Sequence, residues 1–290
     1  MHKLKILPLP FVIFICTNIF SQYDCSTSIN YGSNSNGEFV EVNEIRLHYE
    51  TYGDSTKQTL LLIHGNGGSI RSGRCQIEYF KNDYFVIAVD SRLHGKSEFG
   101  SQELSYELMA KDYESFLECL NINSVYILGH SDGGIIGLLL AMNNPDLVKK
   151  LITIAPNLKP DNSAIHQWDI DRVSRKLEET KIKIQKGEKT SENIKTVQRM
   201  NLMDKFPNID MKELSQIKSP VLVIAGDEDV IRLEHILEIY QNIPKAQLFI
   251  MPGATHLMIR HEHELLNQIS NKFLSNPFKR PTTKKLLIKE

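Results

Sequence analysis

The sequence predicts an α/β protein built on a mostly parallel sheet with helices on both faces. Three observations lead there. Short, continuously apolar runs of strand length recur along the chain, as they do where a strand is buried on both faces. Segments of helical periodicity separate those runs, the alternation that produces a parallel sheet. The composition, 41% hydrophobic and 24% charged over 290 residues, is that of a globular chain long enough for a sizeable core. A net charge of −1, with no basic block in the central sequence, argues against a nucleic-acid partner.

The elements follow in order. Residues 1–21 read as a signal peptide: a basic start (MHKLK), a mostly apolar stretch over 6–15, and the small Ser21 before the expected cut. The alternative is an uncleaved membrane anchor. Against it, the apolar stretch falls short of the roughly 20 residues a span needs and contains Pro8 and Pro10. Residues 22–37, rich in Ser, Asn and Gly, read as a flexible leader. Alternating residues at 38–42 and 46–52 predict an opening antiparallel hairpin. Apolar runs at 60–63, 84–89, 125–128, 151–155, 221–225 and 247–251 predict the strands. Helical patterns cover 104–120, 132–144, 232–242 and 262–275. Residues 38–156 and 216–276 thus form the core.

Residues 157–215 contain no strand pattern and read as a helical cap inserted over one end of the sheet, with Gly187 breaking two helices. Residues 277–290 form a basic tail, expected to be exposed and partly disordered. Export permits disulfides. After cleavage Cys25, Cys75 and Cys119 remain, read as non-functional with at most one bridge. No cysteine–histidine spacing suggests a metal, and no cofactor is expected.

The chemistry centres on GHSDGG, residues 129–134, which fits G-x-S-x-G between a strand-like and a helix-like run. There a serine sits on a tight strand-to-helix turn whose neighbours must be small, facing the positive end of a helix dipole. A serine hydroxyl needs a base. His256, in PGATHL directly after the last strand run, is the best placed of the ten histidines. The base needs an orienting carboxylate. Asp229 in GDEDV (226–230) is favoured over Asp227 because it lies further from the strand end. The order Ser131, Asp229, His256 is that of a nucleophile elbow on a doubly wound sheet. For an oxyanion, the backbone amides of Asn66, in HGNGG (64–68), and of Asp132 are the candidate donors. Losing one such donor costs about 3–4 kcal/mol of transition-state stabilisation. The Asp132 side chain reads as a cap on the helix start. Ile165, Trp168 and Met203 are candidates to line a substrate pocket, with cap core as the other reading.

On HGNGG, DSRLHGKS (90–97), GHSDGG and the GDED…GATH pair, the chain resembles the α/β-hydrolase superfamily from about residue 38 to 274. The resemblance implies an eight-stranded sheet with strand two antiparallel, residues 157–215 as a cap, and acyl-enzyme chemistry at Ser131. Leu93 departs from the small residue relatives often carry at that turn. Among members the chain is most similar to capped ester and lactone hydrolases, and the expected partner is a small-molecule ester or lactone. Dehalogenases and epoxide hydrolases place a carboxylate where Ser131 stands. Two alternatives stay open: C–C bond hydrolysis or peptidase action on the same triad, and a ligand-binding protein that kept the fold without the chemistry.

Overall fold

The structure of the protein is a computed structural model that describes residues 30–33 and 37–288. The proposed signal segment and most of the leader lie outside the described residues. Eight strands make one sheet: β1 (Glu38–Val42), β2 (Ile45–Tyr52), β3 (Thr59–Ile63), β4 (Phe85–Val89), β5 (Val125–His130), β6 (Val148–Ile154), β7 (Val221–Glu228) and β8 (Ala246–Thr255). Their spatial order is β1-β2-β4-β3-β5-β6-β7-β8. β2 runs antiparallel to β1 and to β4, and every other pairing is parallel. The runs read as two-sided strands are so: Leu60, Leu61, Val86, Ile87, Val125, Ile127, Leu151, Ile152, Val221 and Val223 are all buried.

The helices are α1 (Arg74–Phe80), α2 (Tyr106–Cys119), α3 (Asp132–Asn143), α4 (Gln167–Gln185), α5 (Ser191–Lys205), α6 (Leu233–Asn242), α7 (Met258–His261), α8 (His263–Ser275) and α9 (Thr283–Leu287). α3 buries every residue from Asp132 to Met142, as a helix apolar on all sides must. It packs on β5 and β6 behind the GHSDGG turn. α4 and α5 lie between β6 and β7 in sequence and pack on each other. They occupy the span read as a cap. Neither α1 nor α7 is legible as a periodic segment, because each is two turns or shorter.

Two local readings differ from the structure. Tyr31, in the supposed flexible leader, is buried, with its ring edge-on to Tyr52 and its hydroxyl on Glu78. The Gly32 N–H donates to the buried Glu50 carboxylate. An aromatic side chain that finds a core slot orders a segment whose composition alone is polar. The tail, in turn, is tied down at Arg280, which donates to the Pro244 carbonyl and to the Tyr240 hydroxyl, and it carries α9. Cys75 is disulfide-bonded, and Cys119 is a free, exposed thiol.

Candidate active site

The site is assembled where β5, β7, β8 and the loop after β3 end on the same edge of the sheet. Ser131 occupies the turn from β5 into α3 with φ 54° and ψ −117°, a conformation costing about 1–3 kcal/mol that persists only where its surroundings impose it. They do so here. The Ser131 N–H donates to the Ile154 carbonyl. A Cβ on Gly129 would fall 2.1 Å from the Gly133 carbonyl oxygen, and one on Gly133 would fall 2.1 Å from that of Ile63. Only glycine allows the turn to close this tightly against β3.

The acid and the imidazole reach the serine through strand register. β7 and β8 run past the rest of the sheet and pair Glu228 with Thr255. The next residue on each strand is Asp229 and His256, which therefore emerge side by side. A Cβ on Gly226 would lie 2.0 Å from the Ala254 carbonyl oxygen, so that pairing needs glycine there. His256 Nδ1 lies 2.7 Å from Asp229 Oδ1, and His256 Nε2 lies 3.0 Å from Ser131 Oγ. Asp229 Oδ1 also accepts the Ile231 N–H. Asp227, by contrast, is exposed.

The electrostatics favour an imidazole that gains a proton beside an ionised carboxylate. Burial would push the Asp229 carboxyl up, but the hydrogen bonds from His256 and Ile231 outweigh it and hold the group below its ordinary range. Burial would likewise pull His256 down, and the Asp229 bond and charge reverse this, so its pKa is raised. His130 is buried against the His256 ring, and its Nε2 meets the His256 carbonyl at 2.8 Å. Burial and the neighbouring His256 lower its pKa to about 3, so it stays neutral and holds the His256 backbone.

Asn66 and Asp132 meet directly. Asn66 Nδ2 donates to Asp132 Oδ2 at 3.0 Å, and the Tyr106 hydroxyl donates to Asp132 Oδ1 at 2.9 Å. The Asp132 carboxylate is thus a tie between the HGNGG loop, α2 and the turn, not the helix cap expected from its position. Burial raises its pKa to about 6 against the hydrogen bonds from Tyr106 and Asn66. The Asp132 carboxylate also meets its own backbone N–H at the start of α3. His64 serves the loop: its Nδ1 meets the Gly65 carbonyl and its Nε2 accepts the Ser91 N–H. The DSRLHGKS loop is pinned by Arg92, which makes a two-pronged pair with Asp112 at 2.7 Å and is fully buried. Leu93 sits there at φ 69°, the reason a small residue is the commoner choice.

A cavity of about 680 Å³ opens above Ser131 and His256. Ile165 and Met203 line it; Trp168 does not. α4 buries Asp169, Val173, Leu177 and Thr180. Trp168 lies just off that stripe and is 58% exposed. Tyr106 and His130 are the site residues that sequence reasoning missed. Their partners lie 26 and 126 positions away, and no local pattern announces them. Among the described residues, no group of three or more His, Cys, Asp or Glu is arranged to hold a metal ion, and no helix is long and apolar enough to cross a membrane.

The family model of the alpha/beta hydrolase fold matches residues 58–189. A solved α/β-hydrolase enzyme from a Medee basin deep-sea metagenome library superposes with a TM-score of 0.73 at 18% identity, covering 84% of this chain and 99% of that one. The chain has the α/β-hydrolase fold. Among curated relatives, a Haemophilus influenzae protein that carries the name esterase/lipase is 24% identical over 91% of this chain and 99% of its own length. Epoxide hydrolase 4 of Mus musculus is 35% identical over 112 residues, which span 38% of this chain and 31% of that protein.

Proposed function

We propose that the protein is an exported serine hydrolase that cleaves a small carboxylic ester, thioester or lactone through an acyl-enzyme on Ser131. The observation that carries this reading is the unbroken chain of contacts from Ser131 Oγ to His256 Nε2, 3.0 Å, and from His256 Nδ1 to Asp229, 2.7 Å, at the floor of a cavity. His256 takes the Ser131 proton as Oγ bonds to the substrate carbonyl carbon. The oxyanion that forms is stabilised by the Asn66 and Asp132 amides. The carbonyl re-forms as the bond to the leaving alkoxide or thiolate breaks, and His256 hands its proton to that group. Water then attacks the acyl-enzyme, with His256 again as base, to release the acid and the free serine. Asp229 stays ionised throughout and holds the imidazole in the tautomer that accepts at Nε2.

An ester suits this site better than an epoxide. Opening an epoxide by covalent attack calls for a carboxylate nucleophile, and the elbow carries a hydroxyl. The name of the Haemophilus relative agrees with ester chemistry. Export is supported by the amino-terminal pattern and by the disulfide at Cys75, a bond that persists in oxidising compartments.

The test is labelling of the purified protein by a fluorophosphonate, beside Ser131→Ala and His256→Ala. Labelling of the parent that both substitutions abolish is the expected result. A folded parent that stays unlabelled would overturn the serine-hydrolase reading and favour a binding protein.

A further inference from the structure

The cavity above Ser131 is lined by groups of two kinds. Nearest in chain to the Ser131, Asp229 and His256 turns are apolar contributors such as Val230, Ile231 and Leu257. The face supplied by α4 and α5 is charged. Six cations line the cavity, Arg172, Arg175, Lys176, Lys183, Arg199 and Arg260, against the four acids Asp132, Asp169, Glu179 and Glu192. This excess of positive charge belongs to a chain whose overall net charge is −1.

Three of the four acids, all but Glu179, are tied to partners. Asp132 is tied to Asn66 and Tyr106. Asp169 pairs with Arg172 at 2.5 Å, and Glu192 with Arg199 at 2.7 Å. Arg175, Lys176, Lys183 and Arg260 lie within 4.0 Å of no carboxylate among the described residues. Arg172, Arg175 or Lys176, Glu179 and Lys183 recur every three or four positions, so α4 turns one stripe toward the cavity. A concave site with an excess of one sign of charge focuses the field and concentrates counter-charged ligands, and Glu179 only partly offsets the excess here.

We infer that Arg175, Lys176 and Lys183 form a recognition site for an anionic group carried by the substrate away from its scissile carbonyl, so that the preferred substrates are carboxylate- or phosphate-terminated esters. This rests on the hydrolase reading above and narrows its substrate class. The carbonyl sits at Ser131 and the apolar stem of the acyl chain crosses the Ile165–Met203 region. The anionic end meets the α4 stripe, where Arg donates a planar fork and Lys a mobile point charge.

The experiment compares the 4-nitrophenyl monoester of a linear dicarboxylic acid, its ω-phosphate counterpart, and the methyl-terminated 4-nitrophenyl ester of the same length. It uses the parent protein, Arg175→Gln/Lys176→Gln/Lys183→Gln, and the corresponding triple Glu variant, with rates normalised to the fraction that fluorophosphonate labels. The expected parent preference in kcat/KM for the anionic esters is about tenfold or more at low salt, shrinking as the Debye length falls to about 8 Å near 0.15 M ionic strength. The Gln variant removes the preference and the Glu variant inverts it. Whichever anionic ester is preferred identifies the terminal group. Binding of the corresponding non-hydrolysable amides to Ser131→Ala protein reads the same preference without turnover. It therefore stands or falls separately from the labelling that tests the nucleophile. Equal treatment of charged and methyl-terminated compounds would overturn the inference, as would a preference that survives the Gln variant. Activation by phosphatidylglycerol vesicles with no preference among soluble esters would also overturn it, assigning the basic stripe to a membrane surface.

Discussion

Gly133→Ala probes the packing that forces the Ser131 turn. The added Cβ would stand 2.1 Å from the Ile63 carbonyl oxygen and 2.9 Å from that of His64. A real contact of this kind is not closer than 3.0 Å, so β3 and α3 must separate by about 0.9 Å at this point. Both acceptors are main-chain atoms, and no side chain can swing away to relieve the clash. Overpacking of this sort costs about 1–3 kcal/mol. For a chain of this size that corresponds to a fall in Tm of roughly 2–12 °C. The strand end that must move leads directly into HGNGG and hence to Asn66. Displacing a reacting group by about 1 Å can cost about 10²-fold in rate. Thermal unfolding followed by circular dichroism and the second-order rate of fluorophosphonate labelling measure the two effects. Gly73→Ala is the control, because its Cβ would meet only Leu62 Cδ1, at 3.8 Å. A Gly133→Ala protein whose Tm and labelling rate both match the parent's would refute the close contact between turn and strand.

Further predictions concern the two carboxylates. Asp229→Asn should lower hydrolysis by about 10³–10⁴-fold, as loss of the orienting carboxylate does in such triads. His256 acts as a base only when neutral and its pKa is raised above the ordinary 6.5, so the parent's kcat/KM should rise with pH through a midpoint above 6.5. Removing the Asp229 charge should move that midpoint to lower pH, which a pH–rate profile of the residual activity reads directly. Asp132→Asn should keep activity within about tenfold, a barrier change of about 1.4 kcal/mol. Its amide can accept from Asn66 and donate to the Tyr106 hydroxyl. Asp132→Ala leaves the buried Tyr106 hydroxyl unsatisfied and frees the half-buried Asn66 amide, at a cost of about 1–3 kcal/mol, and should lose more activity than the amide variant. Equal activity of the two variants would show that the tie between HGNGG and α2 is not needed.

Much of the architecture is written locally. An unbroken apolar run such as 60–63 or 221–225 specifies a strand buried on both faces, because no polar residue marks a solvent side. The glycines around Ser131 announce a crowded turn. PGATHL and GDEDV each follow a strand run, so the imidazole and a carboxylate had to return to the same sheet edge. The choice between carboxylates is a different matter. Asp227 and Asp229 sit two residues apart, and sequence position favours Asp229 only through its greater distance from the strand run, without placing either against the imidazole. The pairing of Glu228 with Thr255 decides it, by carrying β7 and β8 far enough that Asp229 buries against His256.

What the sequence by itself determined was the class of fold, the serine turn, and the histidine and acidic loop that could serve it, since these depend on neighbours along the chain. Tertiary structure alone decided the rest. Asp132 became a tie because Asn66, distant in sequence, donates to it. Tyr31 became core because Tyr52 and Glu78 meet it. Trp168 turned to solvent because α4 buries the stripe beside it. The lysines and arginines of α4, in the span read from sequence as a helical cap, line a cavity only because that helix lies over Ser131. Each of these roles is a contact between distant segments, and a residue's chemistry says what it can bind without saying what will be brought to it.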